Sequence, residues 1–174
     1  MEATVQAGAA QAAFELAQHL QADGGLAPIQ VGGYALVDGE VAFADVTCWA
    51  SRYYGTGVVR PRPAGFFEDH PAFGRRWVSN RGLDARRLRE AEAAAEPQWR
   101  DHTTARVLFT SLGLRVMPCR ETAWLPFDHA LLTSVAPGSS EVVLSYTTCA
   151  PLRLGGESAD WLGMALDHVR RMPQ

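Results

Sequence analysis

The sequence predicts an α+β fold, with a mixed or mainly antiparallel sheet of about five strands and helices packed on one face. Three observations lead to this prediction. Segments with a helical spacing of apolar residues lie near both ends and in the middle of the chain. Segments typical of strands mostly follow one another through short turns, and hairpins outnumber possible crossover connections. The length of 174 residues, of which 47% are hydrophobic, suits a single domain over residues 1–174.

The first two predicted elements are a helix and a β-hairpin. Residues 4–22 carry apolar side chains on one helical face, and Thr4 can cap the start of this helix. Residues 31–37 and 40–49 are typical of strands and flank Asp38-Gly39, a dipeptide that type I′ hairpin turns favour. We therefore expect a hairpin here.

The middle of the chain predicts a long loop followed by two helices, or by one helix with a kink. Residues 55–74 are rich in proline and glycine and show neither a helical nor a strand period. An apolar stripe begins at Asp84, and Pro97 interrupts it. The spacing of apolar residues between Pro97 and Gly113 predicts a second helix, which Gly113 would end.

The last third of the chain predicts three strands and a helix. The strands are expected at residues 114–119, 129–135 and 141–148, with a turn between the last two. Residues 158–172 have a wide apolar face and a basic end, which is typical of a helix packed on a sheet.

The composition excludes some chemistry and favours a cytoplasmic protein. All sixteen basic residues are arginine, so a lysine Schiff base, a pyridoxal phosphate anchor and a Walker lysine are excluded. The arginine and alanine bias is typical of a GC-rich bacterial genome. The net charge of −3 argues against nucleic-acid binding. We expect no membrane partner, because no apolar run has the length of a membrane span and the start lacks a signal-peptide pattern.

Cysteine and histidine offer one candidate pair for catalysis and no clear metal site. Cys48, in the segment Thr-Cys-Trp-Ala-Ser, and His129, after Asp128, resemble the Cys-Trp-Ala and His-Ala segments of papain-like peptidases. The resemblance implies a thiol activated by an imidazole. The alternative is a buried structural cysteine, because Cys48 ends a predicted strand. Cys119, His129 and Cys149 lack the close spacing of zinc ligands, so we predict no metal site.

The long loop and the segment after it carry further candidates. Asp69 and His70 follow two phenylalanines, and such a loop can close over a ligand and deliver a general acid or base. Six arginines follow within residues 75–89. Of these, Arg75, Arg76 and Arg81 are the candidates for binding a phosphate or carboxylate. The alternatives are a loop held by its own packing and a solvated helix face.

Several exposed or core aromatic residues are candidates for lining a ligand pocket. They are Trp49, Tyr53, Tyr54, Trp77 and Trp124. Aromatic side chains also fill protein cores, so both interpretations stay open at this point.

Two short stretches resemble larger families. Tyr34 to Phe43 is similar to the central hairpin of GNAT acyltransferases, and Ala105 to Arg115 is similar to their late helix and strand. The glycine-rich loop that binds acetyl-CoA in that family is not matched, because residues 80–84 contain a single Arg-Gly pair. The second stretch also resembles a helix-strand half of the vicinal oxygen chelate fold, but a matched His and Glu ligand set is missing.

These observations leave three functions open. The first is a domain that binds or transforms a small molecule, which the arginines suggest is anionic. The second is a non-catalytic module that binds another protein, such as a chaperone, an immunity protein or a regulatory subunit. The third is a degenerate GNAT-like acyltransferase. The sequence names no cofactor and does not decide whether the protein is an enzyme.

Overall fold

A computed structural model describes residues 11–12, 14–20, 22 and 24–171, and it has the predicted α+β composition. The chain divides into two compact units. The sheet unit contains the described parts of Met1–Tyr53 and Trp99–Gln174, and the inserted unit is Tyr54–Gln98. Whether both units behave as the single domain expected from the length stays a prediction.

The elements follow in chain order. They are α1 (helical residues 11–12 and 14–20), β1 (Ala42–Tyr54), β2 (Gly65–His70), β3 (Gly74–Ser79), α2 (Arg81–Ala95), β4 (Gln98–Thr110), β5 (Gly113–Pro118), β6 (Leu125–Asp128), a 3₁₀ turn (His129–Leu131), β7 (Leu132–Pro137), β8 (Glu141–Tyr146), β9 (Leu152–Gly155) and α3 (Ala159–Arg171). The start of the predicted first helix, including Thr4, lies outside the described residues. No helix in the described ranges is long and apolar enough to cross a membrane.

Seven strands form one antiparallel sheet, which is larger than the predicted sheet of about five strands. Their order is β6–β5–β4–β1–β9–β8–β7. The central strands β1 and β4 run in opposite directions, because Asp45 pairs with Arg106 near one end and Tyr53 packs on Trp99 near the other. Strands β2 and β3 form a separate two-stranded antiparallel sheet in the inserted unit, which we call the ribbon.

The predicted first hairpin is wrong, although its turn exists. The amide of Glu40 donates to the carbonyl of Val37 at 2.9 Å, and Gly39 has φ of 83°, which glycine adopts without strain. Residues 31–37 form no strand, however, and Ile29 alone makes an isolated bridge to Ala42. Strand β1 instead pairs with β4 and β9, which are distant in the chain.

The predicted second helix is also wrong, because residues 98–110 form β4. Its apolar residues fit a helical period, but Ala105, Val107 and Phe109 also alternate with a period of two. All three are buried in the core of the sheet unit. Tertiary pairing with β1 and β5 therefore decides between the two patterns.

The predicted loop at residues 55–74 contains a strand. Residues 65–70 form β2 and residues 71–73 form the turn to β3, so the irregular part is limited to residues 55–64. Helix α2 begins at Arg81 rather than at Asp84, since the Asn80 side chain caps it by accepting a hydrogen bond from the amide of Leu83 at 3.0 Å.

The last third of the chain follows the prediction more closely. The strands at 114–119 and 141–148 are confirmed within two residues as β5 and β8, and the final helix is confirmed as α3. The strand predicted at 129–135 is shifted, because residues 129–131 form a 3₁₀ turn before β7. Strands β6 and β9, of four residues each, were not predicted.

Helix α3 packs on one face of the sheet, which we call the inner face. Leu162, Ala165 and Leu166 are buried in one cluster with Val142 and Leu144 of β8. The same cluster continues across the inner face through β9, β1, β4 and β5 to Phe127 of β6. One helix is too narrow to cover seven strands, since strands lie about 4.8 Å apart and a helix is about 10 Å wide.

Candidate ligand-binding site

A cleft of about 470 Å³ opens on the inner face of the sheet unit. Its floor is apolar and consists of Ala50, Val116, Leu125, Phe127 and Leu152, from β1, β5, β6 and β9. The wall is more polar and comes mainly from β4 and the β5–β6 connection: Asp101, His102, Thr103, Cys119, Glu121 and Ala123. This volume and this lining are typical of small-molecule sites, which measure about 300–1,000 Å³.

Arg52 supplies a fixed positive charge in this cleft. Its Nε and Nη2 atoms donate to the carbonyl of Ala150 at 3.2 and 2.9 Å, and its guanidinium carbon lies 5.2 Å from the centre of the Phe127 ring. Among the described residues no carboxylate forms an ion pair with Arg52. The guanidinium is therefore held in place while its charge is not neutralised, as an anion site requires.

His102 adds a possible hydrogen-bond acceptor to the wall. Its Nε2 atom lies 3.1 Å from the carbonyl of Trp99, and a carbonyl can only accept, so this nitrogen carries the proton. In the neutral ring Nδ1 is then an acceptor. The preceding residue, Asp101, has φ of 54°, a left-handed conformation that is uncommon outside glycine. Strained backbone of this kind is concentrated at functional sites.

Tyr146 lies beside the floor of the cleft. Its ring packs against Phe127 with centroids 5.4 Å apart, and its hydroxyl is buried with no hydrogen-bond partner in the described part of the chain. Burial raises the pKa of this phenol, so it stays protonated at neutral pH. A buried hydroxyl without a partner costs roughly 1–3 kcal/mol, which a ligand or a water molecule would recover.

The sequence analysis missed Arg52, His102 and Tyr146. A signal existed for Arg52: residues 42, 44, 48 and 50 of β1 are small, apolar and buried, and position 52 continues this alternation with a charged residue. The strand alternation directs the side chain at position 52 toward the core. A positively charged side chain there needs a partner, which can be a ligand, the face of an aromatic ring or a carbonyl oxygen.

The structure does not join Cys48 to His129. Cys48 is buried in the core, as the structural interpretation predicted, and burial raises the pKa of its thiol to about 11. The Nε2 atom of His129 lies 3.0 Å from the carbonyl of Thr110. Burial lowers the pKa of the His129 side chain. No hydrogen bond within the described ranges connects the two side chains, and their catalytic pairing stays a prediction.

Asp69 and His70 lie in the ribbon, at the end of β2. The Nδ1 atom of His70 accepts a hydrogen bond from the amide of Ala72 at 3.2 Å, and its ring packs on Phe73 with centroids 4.8 Å apart. These contacts hold the ribbon turn together. Their role as a general acid and base stays a prediction.

The three arginines predicted to bind an anion lie in the inserted unit. Arg75 packs over the ring of Phe67 at 4.6 Å, and Arg76 forms an ion pair with Glu68 at 2.9 Å. Arg81 is the first residue of α2. Arg86, by contrast, pairs with Glu90 one turn along the helix, as the solvated-face interpretation predicted. An anion site at Arg75, Arg76 and Arg81 stays a prediction.

The aromatic candidates are spread over the chain and do not line the cleft. Trp49 lies 5.0 Å from the guanidinium carbon of Arg153, and Tyr53 packs on Trp99. Tyr54 is the last residue of β1. Trp124 packs edge-on against Tyr34 at 5.3 Å. Trp77 belongs to the ribbon and packs on Phe67.

In the described part of the chain, no three His, Cys, Asp or Glu side chains lie close enough together to hold a metal ion. Cys119 and Cys149 are exposed, and the site considered for them with His129 is not formed.

Comparison with known proteins adds no relative. No protein-family model matches the chain, and no curated protein has a similar sequence. The short GNAT and vicinal oxygen chelate resemblances both require a helix at residues 105–112, and residues 105–110 instead belong to β4. The GNAT resemblance also requires a hairpin around Asp38, which does not form.

Proposed function

We propose that the sheet unit binds a small, mainly apolar organic anion in the cleft on its inner face. The observation that carries the proposal is Arg52, whose guanidinium is fixed by Ala150 and Phe127 beside an apolar floor. A carboxylate, sulfonate or phosphate would meet this cation, while an aromatic or branched body would cover the exposed side chain of Leu125. The proposed ligand is an anion, as the sequence analysis expected. The cation that would bind it is Arg52 rather than Arg75, Arg76 or Arg81.

The apolar floor supports this ligand class. Leu125 lines the cleft with 42% of its surface exposed, so part of an apolar side chain stays in water within a concave surface. Burial of apolar area contributes about 25 cal/mol for each Å², so a ligand body that covers this floor gains free energy from contact alone. Arg52 then favours an anionic group placed directly against it, while Asp101 and Glu121 on the wall confine that group to the Arg52 side of the cleft.

The proposal concerns binding and includes no reaction. Cys119 and His102 line the same cleft, but no hydrogen bond between them is found in the described residues. A nucleophile and its base have to lie within about 3.2 Å of each other or be brought there by substrate.

The test uses anilinonaphthalene sulfonate, an apolar fluorescent anion, with 2-naphthoate and its neutral alcohol as competitors. We expect saturable binding, with naphthoate displacing the probe at lower concentration than the alcohol. Leu125→Glu should weaken binding of the probe at least about tenfold, because a carboxylate would replace apolar floor and repel the anion. Leu112→Glu is the matched control, since Leu112 is 46% exposed and lies outside the cleft.

Arg52→Gln tests the charge separately. It should weaken naphthoate binding about tenfold or more and leave binding of the neutral alcohol nearly unchanged. Thermal unfolding of this variant is measured alongside, because Arg52 also holds Ala150. The proposal is wrong if both glutamate variants bind the probe alike, or if the alcohol competes as well as naphthoate.

A further inference from the structure

The ribbon exposes large aromatic side chains on a sheet of only two strands. Phe67 and Trp77 are 57% and 47% exposed although they pack on each other with centroids 5.1 Å apart. Two-stranded sheets are marginally stable in water unless a further surface covers them. An exposed cluster of aromatic residues on such an element is typical of an interaction surface.

The register of the ribbon separates its side chains into two faces. Phe67 lies opposite Trp77 and Asp69 lies opposite Arg75, so these four residues share one face, which we call the Trp77 face. Gly65 belongs to the same face, and its lack of a side chain leaves room for the Trp77 indole. The opposite face carries Phe66, Val78 and the Glu68–Arg76 ion pair.

The charges of the two faces differ in one respect. On the opposite face Arg76 is neutralised by Glu68 through both Nε and Nη2. On the Trp77 face, Asp69 and Arg75 form no ion pair among the described residues, although they are cross-strand neighbours. The Trp77 face therefore offers one acid and one base without an ion pair among the described residues, and Arg75 lies over the ring of Phe67.

The two charges on the Trp77 face that are not paired with each other favour one kind of partner. A face with one acid and one base has no net charge, so it does not favour a nucleic acid or an acidic peptide. In a two-fold contact the same patch occurs on both sides, and each residue meets its complement. Asp69 on β2 of one copy then meets Arg75 on β3 of the second copy. The aromatic residues of the two faces pack against each other beside these charge pairs.

We propose that the Trp77 face binds the Trp77 face of a second copy of this chain, with Asp69 of each copy paired to Arg75 of the other. Aromatic packing at the centre with charge pairs at the rim is the usual composition of a specific interface. This proposal is independent of the ligand cleft, because its residues all belong to the inserted unit.

The test is a charge exchange on the full chain, followed by sedimentation equilibrium over a range of concentrations. We expect the natural chain to dimerise. Asp69→Arg leaves two bases on the face and Arg75→Asp leaves two acids, so each variant alone should dimerise at least about tenfold more weakly. An equimolar mixture of the two variants should form the heterodimer, because their faces are then complementary.

Glu68→Arg is the matched control on the opposite face and should leave dimerisation unchanged. Circular dichroism checks that each variant is folded. A natural chain that stays monomeric, single variants that dimerise normally, or a mixture that fails to associate would each overturn the proposal.

Discussion

The guanidinium of Arg115 lies 3.2 Å from the carboxylate of Glu40, and both side chains are buried. Arg115 also donates to Asp128 at 2.8 Å and to the hydroxyl of Tyr34 at 2.9 Å. Burial alone would lower the pKa of Arg115, but the hydrogen bonds that it donates to Asp128 and Tyr34 and the charge of Glu40 outweigh burial and raise the pKa. The pair links β5 to the segment before β1, which forms no regular strand.

Removal of Glu40 should destabilise the protein much more than removal of Asp128. Glu40→Ala leaves a buried guanidinium with one partner fewer, and losing a buried partner costs about 3 kcal/mol. The Asp128 side chain is half exposed, so Asp128→Ala should cost about 1 kcal/mol or less. Urea denaturation measures both free energies of unfolding. Equal losses would contradict this account, because they would show that the half-exposed Asp128 stabilises Arg115 as much as Glu40 does.

Gly113→Ala should destabilise the protein by about 2–3 kcal/mol, as overpacking of a rigid site does. A Cβ atom on Gly113 would lie 2.8 Å from the Cα atom of Asp128, and backbone of the paired strand β6 cannot move away as a side chain can. Gly25→Ala is the control, because a Cβ atom there meets nothing within 4 Å. Thermal unfolding should show a change within about 0.5 kcal/mol for the control. A Gly113 variant as stable as the control would contradict this account.

Stability should fall as the pH is lowered through the range in which an unfolded histidine gains its proton. Burial lowers the pKa of His129 in the folded state, and its Nδ1 atom has no hydrogen-bond partner in the described residues. The unfolded state then binds the proton first, near pH 6.5. The contribution of His129 is complete above that pH and is lost as the pH falls toward the lowered folded-state value. His129→Gln keeps a donor for the carbonyl of Thr110. Urea denaturation at several pH values should show that the free energy of unfolding of this variant depends less steeply on pH. An unchanged pH dependence would assign it to other groups.

Cys48 should resist thiol reagents in the folded protein. Its thiol is buried and its pKa is raised to about 11, so little thiolate is present at neutral pH. Cys119 and Cys149 are exposed and should react first with a chromogenic disulfide. Two thiols should therefore titrate rapidly in buffer, and the third only in denaturant. Rapid reaction of Cys48, located by peptide mapping, would revive the nucleophile interpretation.

Local patterns predicted the elements whose own residues show a clear period or turn preference. Helix α3 has a wide apolar face and a basic end, and its position follows from those residues alone. Strand β8 alternates buried and half-buried residues, which a period of two predicts directly. The turn at Asp38-Gly39 also follows from local conformational preference, because glycine accepts positive φ.

Local patterns failed where residues that are distant in sequence determine which strands pair. The turn at Asp38 does not lead into a hairpin, because β1 pairs with β4 and β9 instead. Residues 98–110 fit a helical period and an alternating one, and burial between neighbouring strands selects the strand. The short strands β6 and β9 have too few residues to show any period.

The sequence by itself determined the α+β class, the final helix and the absence of lysine chemistry, and it predicted that Cys48 is buried. The tertiary structure alone decided where the cleft lies and that Arg52 lines it. Arg52 comes from β1, Phe127 from β6 and Ala150 from the segment before β9, so no local pattern can show that they meet. The reason is physical: alternation along a strand sets which way a side chain points, but only the pairing of strands sets what it points at.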